Sequence, residues 1–409
     1  MFRNKKNITA VDISNSKIRA CVAEDIGKGD INILAAEEAD LSAVKRSIVI
    51  DLGQTSGVLR NILNRIKDDC GVDNRSIYLN VSGEHLDRTN SHGAVMVQNS
   101  KGQVTKRDIN NVIASAYTRG VSLDRAPIHS LICGYTIDEQ DGVLDPINMH
   151  AKKLEVDLSI ISGISNCMKN LKKAVNQAGY EVKELIASAL AASFSVLTDE
   201  EKRSGVVLID LGAGVTDIAF FKNNYLRGFK VIPKGGEDIT DEVSKKLKIS
   251  LSYAEEIKKR YGCVFINNQA AKEDIALKDT NENFKSIDKS EICEIIKKSL
   301  KSTFKEIKST LNNLNCLNEA PCGIVITGGV SLLDGLVEEA QDILEIPVRF
   351  GLPNRFKSSK NLKFPTWSTC LGLARYALIK EDSLSNKDGR LNPLAFIKRK
   401  IENLLTDYF

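Results

Sequence analysis

No two of the nine cysteines are spaced as CxxC, and their number is odd. The chain therefore lacks the pattern of a disulfide framework or a zinc site, and a reducing cytosol is the compartment it suits. The four histidines (His85, His92, His129, His150) show no ligand-like spacing. No apolar run approaches the roughly 20 residues that span a bilayer. The N-terminus, MFRNKKNITAV, is basic but has no apolar signal core. Charge of one sign is also missing. The 57 Lys+Arg face 53 Asp+Glu, a net +4 that is too even to call for nucleic acid. What is present is 409 residues, 42% hydrophobic and 27% charged, which excludes a disordered or fibrous chain and leaves room for two to three domains.

The chain contains a distant internal echo. Residues 8–23 read ITAVDISNSKIRACVA and residues 206–221 read VVLIDLGAGVTDIAFF. Each is an apolar strand, an acid (Asp12, Asp210), a short small or polar stretch and a second apolar strand, which is a hairpin with its turn just after the acid. Two copies suggest two similar α/β domains facing each other. Three further pieces follow. Residues 323–336, GIVITGGVSLLDGL, place a buried strand before a double glycine (Gly328, Gly329) and a helix start near Ser331, where backbone can approach a ligand and negative charge is favoured. Residues 234–243, KGGEDITDEV, pair glycines, Gly236 among them, with carboxylates at a helix start. In AEEIKKRYG, residues 254–262, Glu255 and Lys258 lie three apart on one helical face. The chemistry these pieces suit is nucleotide binding. Hairpin turns offer backbone N–H groups to phosphate, and an acid at the end of each first strand can hold the waters of a phosphate-bound Mg²⁺. A lone GxG is weak, but five pieces in this order are strong.

The order resembles the actin/Hsp70/sugar-kinase superfamily and, within it, the FtsA family of bacterial division proteins, over nearly the whole chain. The resemblance makes DISNSK (residues 12–17) the first phosphate loop, DLGAGVTD (210–217) the second and ITGGVS (326–331) the adenosine motif. Signals similar to the FtsA family lie in IYLNVSGEHL (77–86), in GYTIDEQDGVLDPINMHAKKLEV (134–156) and in ALAASFSVLTDEE (189–201). By this resemblance Asp12 and Asp210 hold the Mg²⁺ shell. Ser14, Asn15, Ser16 and Lys17, with Gly212, Ala213, Gly214, Val215 and Thr216, hold the phosphates of ATP. Gly236, Glu255, Lys258, Gly328, Gly329 and Ser331 hold the nucleoside. Two departures stand out. Ser14 replaces the usual glycine of the first loop, and Val215 replaces the hydroxyl residue of the second. No water-positioning group is identified and no catalytic residue is assigned; the resemblance implies an ATP-binding protein with at most weak ATPase activity, in which ATP would act as a conformational ligand more than as a substrate.

The C-terminus points the same way. Residues 380–392, KEDSLSNKDGRLN, are polar without apolar periodicity and read as a flexible tether. In PLAFIKRKIENLLTDYF (393–409), Leu394, Ile397, Ile401, Leu404, Leu405 and Tyr408 follow helical spacing, with Phe396 and Phe409 at the margins and Lys398, Arg399 and Lys400 on or beside the opposite face. Such a helix can lie in the interface of an anionic membrane. FtsA proteins end in such a membrane-targeting helix, and repetition along a polymer would raise the avidity of one so short.

The expected architecture is α/β, with two RNase H-like domains around a nucleotide cleft, the actin-like ATPase fold. Subdomain 1A takes residues 1–82, 161–192 and the return segment 368–379. An FtsA-type subdomain 1C takes 83–160, subdomain 2A takes 193–232 and 319–367, and subdomain 2B takes 233–318. The resemblance implies a peripheral protein on the cytoplasmic face of the inner membrane at the septum. It would bind the C-terminal peptide of the tubulin-like FtsZ on 2B, other division proteins through 1C and copies of itself in filaments. The rivals are a type IV pilus assembly protein of the PilM kind, a sugar or acyl kinase and an Hsp70-type chaperone; the last lacks a peptide-binding β domain after residue 373.

Overall fold

The computed structural model describes residues 6–27, 29–264, 274–278 and 284–385. The first half starts with a meander of β1 (Asn7–Ile13), β2 (Lys17–Gly27) and β3 (Asp30–Asp40). A two-residue pair, β4 (Val44–Lys45) and β5 (Ile48–Val49), leads to α1 (Leu52–Cys70). Helix α1 starts where the Asp51 carboxylate accepts from the N–H of Gln54, and stops at Gly71 in a left-handed conformation. Strand β6 (Ser76–Val81) follows.

An inserted layer comes next: β7 (Asp87–Met96), α2 (Lys106–Gly120), β8 (Arg125–Ile137), β9 (Gln140–Val143) and β10 (Lys153–Ile164). Its strands form an antiparallel sheet in the order β7-β10-β8-β9. It carries a core of its own, in which Val112, Ile113 and Ala116 of α2 meet Leu154, Val156 and Leu158 of β10. The chain returns through α3 (Ser165–Gln177), β11 (Glu181–Ala187) and α4 (Ser188–Val196).

The second half opens with α5 (Asp199–Ser204), then β12 (Val206–Leu211), β13 (Thr216–Lys222) and β14 (Tyr225–Ile232). A helical excursion holds α6 (Gly236–Leu247), α7 (Leu251–Tyr261), the hairpin β15 (Asp274–Lys278) and β16 (Phe284–Asp288), and α8 (Lys289–Asn313). Strand β17 (Ile324–Thr327), α9 (Leu336–Leu344), β18 (Val348–Phe350) and β19 (Phe356–Ser358) precede the last described helix, α10 (Ser368–Ser385).

The echo read in the sequence is a repeat of topology. One sheet runs β11-β6-β1-β2-β3-β19 and the other β14-β13-β12-β17-β18. In each, a three-stranded antiparallel meander continues, on the side of its first strand, into two parallel neighbours. The central strand β12 is apolar except for Asp210 because both its faces are covered. Leu208 joins the core shared with the first half, whereas Val207 and Ile209 face the core built with α6, α7 and α8.

Helices α4 and α10 pack together behind the cleft, and their spacing depends on Gly372. A Cβ there would lie 1.9 Å from the carbonyl oxygen of Ala191 and 2.6 Å from its carbon. Backbone cannot retreat as a side-chain tip can. Gly372→Ala is therefore expected to cost about 2 kcal/mol net, since overpacking of about 1–3 kcal/mol or more outweighs the ~1 kcal/mol gained in helix propensity. Urea denaturation of the variant checks this, and an unchanged midpoint would contradict it.

Two expectations need correction. Helix α10 continues to Ser385, past residue 380 where the polar composition places the start of a tether. Lys380 bonds Glu184 at 2.6 Å, and Glu381 accepts from the Tyr78 hydroxyl at 2.6 Å and pairs with Lys183. These charges have partners distant in sequence, which composition cannot reveal. In addition, Cys263 and Cys293 form a disulfide between the end of α7 and α8, although no disulfide framework was expected. A separation of 30 residues leaves no local signature. The membrane-helix residues 393–409 lie outside the described residues. Among the described residues no helix is long and apolar enough to cross a membrane.

Candidate functional site

The two hairpins meet across a cavity of about 440 Å³, within the size range of small-molecule sites. Asp12 is the penultimate residue of β1 and Asp210 that of β12. The cross-strand partner of Asp12 is Arg19, and that of Asp210 is Asp217. All four side chains are buried and line the cavity. Arg19 and Asp217 were not among the residues expected from sequence. A signal existed, because a hairpin turning at residues 14–17 puts 19 opposite 12, and one turning at 212–215 puts 217 opposite 210.

Burial dominates the electrostatics. It pushes the Asp12 carboxyl up to about 7, with Arg19 lowering it and Asp210 raising it. It pushes Asp210 up to about 6, against a hydrogen bond donated by the Thr369 hydroxyl at 3.0 Å. It pushes Asp217 up to about 8, with Asp210 adding to the rise and the Ser82 hydroxyl, 2.6 Å away, opposing it. The Arg19 guanidinium acts on Asp12 and Asp210, and Arg19 also gives its Nε to Glu38 at 3.0 Å. The site is short of positive charge. Among the described residues no group of three His, Cys, Asp or Glu side chains converges on one point as metal ligands. Two carboxylates lining one cavity, Asp12 and Asp210, could hold a cation that keeps its water shell, as Mg²⁺ does.

The loops are closed by their own hydrogen bonds. Ser14, in place of glycine, closes its own turn. Its N–H and its hydroxyl both donate to the Lys17 carbonyl, at 3.0 and 2.8 Å, and its φ is not positive, so glycine is not required. Gly212, Ala213, Gly214 and Val215 line the cavity opposite. The Gly212 N–H donates to the Val215 carbonyl, and the Gly212 and Ala213 carbonyls accept from the first N–H groups of α6, those of Gly236 and Glu237. Gly328 has φ +91°, and a Cβ there would lie 2.3 Å from an Asp210 carboxylate oxygen and 2.4 Å from the Leu211 carbonyl. Glycine at this point brings the third loop against the second.

On the far side, Lys258 is buried and donates to the Gly236 carbonyl and the Thr240 hydroxyl, each at 2.8 Å, and pairs with Glu255 at 2.6 Å. Burial lowers the Lys258 amine while Glu255 raises it. Burial also raises the Glu255 carboxyl, yet Lys258, Thr240 and Lys259 together outweigh it and the net direction is down. The pair is an internally neutral wall.

Of the residues expected from sequence, the cavity gathers Asp12, Ser14, Asn15, Ser16, Lys17, Asp210, Gly212, Ala213, Gly214, Val215, Gly236, Glu255, Lys258, Gly328 and Gly329. Two do not line it. The Thr216 hydroxyl donates to the Lys234 carbonyl at 2.8 Å, so it does not replace the hydroxyl missing at Val215. The Ser331 hydroxyl donates to the Gly328 carbonyl at 2.6 Å and closes the glycine turn from behind. Lys17 lines the cavity, but its amine is held by Glu38 at 2.5 Å with Asp40 at 3.6 Å. Asn80, Ser82, Ser188 and Thr369 add to the polar lining from segments remote in sequence.

Two halves of like topology around such a cleft define an actin-like fold. Solved structures agree. A chain of the PilM–PilN type IV pilus biogenesis complex superposes with a TM-score of 0.64 at 15% identity, covering 91% of this chain and 98% of that one. MreB5 of Spiroplasma citri bound to ADP gives 0.57 at 14% identity, covering 93% and 99%. Sequence narrows the class. The chain is 31% identical to cell division protein FtsA of Pseudomonas aeruginosa over 92% of this chain and 90% of that one, and 30% identical to that of Neisseria meningitidis over 98% and 100%. Residues 207–372 match the family model of cell division protein FtsA, and residues 83–162 match that of the SHS2 domain inserted in FtsA. The chain belongs to the FtsA family of cell division proteins.

Proposed function

We propose that this division protein binds an adenine nucleotide with Mg²⁺ in the cleft, assembles with copies of itself into actin-like filaments and holds FtsZ polymers at the cytoplasmic face of the membrane at the septum. The observation that supports this most is the pair of equivalent buried acids, Asp12 and Asp210, which line one cavity between the serine-bearing loop of the first half and the glycine-bearing loops of the second. MreB5, of the same fold, carries ADP. In the proposed complex Asp12 and Asp210 hold the cation through its waters. Backbone N–H groups of the first two loops take the phosphates, and Glu255 and Lys258 flank the nucleoside. The cation supplies the positive charge that three buried acids lack.

The FtsZ tail is proposed to dock on the helical excursion, where α6 and α8 border a groove of about 390 Å³ that mixes Lys234, Lys245 and Lys298 with Asp238 and Glu242. Other division proteins are assigned to the inserted layer bearing α2. Residues 393–409 are proposed as the membrane anchor, with the apolar side in the acyl boundary and Lys398, Arg399 and Lys400 toward anionic lipid. Flotation with anionic vesicles and Mg·ATP tests the anchor. The full chain should float, and a chain ending at Asn392 should lose most of that binding. Equal flotation of the two would remove the membrane role from the tail.

A further inference from the structure

Asn15 sits at the centre of the first phosphate loop, only 4% exposed, and each of its polar atoms is spoken for. Its Oδ1 accepts from the Ser47 N–H at 2.8 Å. Its Nδ2 donates across the cleft to the Glu237 carboxylate, 3.2 Å from each oxygen. Glu237 stands in the first turn of α6 and gives its own N–H to the Ala213 carbonyl at 2.7 Å. The amide reaches it by passing directly over the second loop. A Cβ at Gly214 would lie 1.7 Å from Nδ2, so only glycine admits the crossing. A second cross-cleft contact, Arg46 to Asp238 at 3.9 Å, lies beside the first.

Three chain segments thus converge on one side chain: the first phosphate loop, the second, and the start of α6. The donor that the first loop could turn to an incoming anion is spent on a carboxylate from the opposite half. Glu237 is also an anion, placed at the helix N-terminus where a phosphate would be favoured. A ligand whose negative charge extends furthest between the loops competes with Glu237 for the Asn15 amide and is repelled by it. A shorter ligand leaves the contact undisturbed.

We propose that the Asn15–Glu237 contact is a clasp between the two halves that sets the preference between nucleoside triphosphate and diphosphate, because the terminal phosphate must displace Glu237 from Asn15. Glu237 is a specificity residue that acts through Asn15 and does not line the cavity itself. The inference rests on the nucleotide reading above.

Calorimetric titration of the full chain with Mg·AMPPNP and with Mg·ADP tests it, comparing wild type, Glu237→Ala and Glu237→Gln. Glu237→Ala is expected to bind AMPPNP about fivefold tighter, the scale of one partly exposed hydrogen bond, with ADP changed less than about twofold. Glu237→Gln, which keeps an acceptor but loses the charge, should fall between. In the nucleotide-free protein, Asn15→Ala and Glu237→Ala should both speed amide exchange in residues 212–216 and in the first turn of α6. If wild type binds both nucleotides and the ratio is the same in all three proteins, the inference falls and the nucleotide reading stands. If wild type binds neither, both fall. Unaltered amide exchange in both variants would show that no clasp joins the halves.

Discussion

Asp210→Asn should make the nucleotide-free protein more stable above pH 6 and at the same time weaken binding of Mg-nucleotide at least about tenfold, which is 1.4 kcal/mol. The two effects have one cause. Burial lifts the folded-state value of Asp210 to about 6, above the 3.8 of the free group. A raised folded value means that protonation favours the fold. That stability is fully present below pH 3.8 and is lost as pH rises through 6, where the site must hold a buried anion. Asparagine keeps an acceptor for the Thr369 hydroxyl and carries no charge at any pH. It also removes the anion that raises Asp12 and Asp217. The melting temperature of the variant should therefore exceed that of wild type at pH 8, with the gap closing toward pH 4. The same change deletes half of the proposed cation-holding pair. Melting curves at the two pH values, with nucleotide titrations at pH 8, decide the matter. A variant less stable at pH 8, or one with unchanged Mg-nucleotide affinity, would break the link between burial cost and cation binding.

Gly328→Ala should destabilise the fold by about 3 kcal/mol and abolish nucleotide binding, whereas Gly329→Ala, one residue on, should be close to neutral. The adjacent glycines look equivalent in sequence. Gly328 has φ +91°, where an L side chain is strained, and its Cβ would strike Asp210 and the Leu211 carbonyl. The clash is with backbone and with a buried acid, so it cannot be relieved by rotation of a side-chain tip. At Gly329 the nearest atom to an added Cβ is the Thr366 Cγ2 at 3.7 Å, an ordinary contact. Denaturation of the two variants side by side, followed by nucleotide titration of whichever folds, measures the difference. Equal loss in both would mean that the glycine pair serves something other than close approach of β17 to β12.

The hairpins of Asp12 and Asp210 were legible because each is local. An apolar strand, an acid and a turn lie within 16 residues. The glycine pair and the Glu255–Lys258 couple were legible for the same reason, being a turn and a helical i, i+3 spacing. The family could be recognised because these local pieces keep a fixed order over the whole chain, and the α/β class because strand and helix signals alternate.

What escaped was whatever depends on which way a side chain faces after folding. Thr216 and Ser331 carry hydroxyls in the right motifs, but pleat and turn geometry aim them at the Lys234 and Gly328 carbonyls. Lys17 lies in the first loop, yet Glu38 on the next strand takes its amine. Arg19 and Asp217 enter the site through strand register, and Ser82, Ser188 and Thr369 through packing of segments more than 100 residues apart. Sequence alone determined the two-fold plan and the acids at its centre, because those rest on contacts between near neighbours in the chain. Only the tertiary structure decided the charge balance of the cleft, the end of α10, the Cys263–Cys293 bond and the Asn15–Glu237 crossing. Each of these joins residues at least 30 positions apart or is stabilised by such partners, and their distance is set by packing and not by the chain between them.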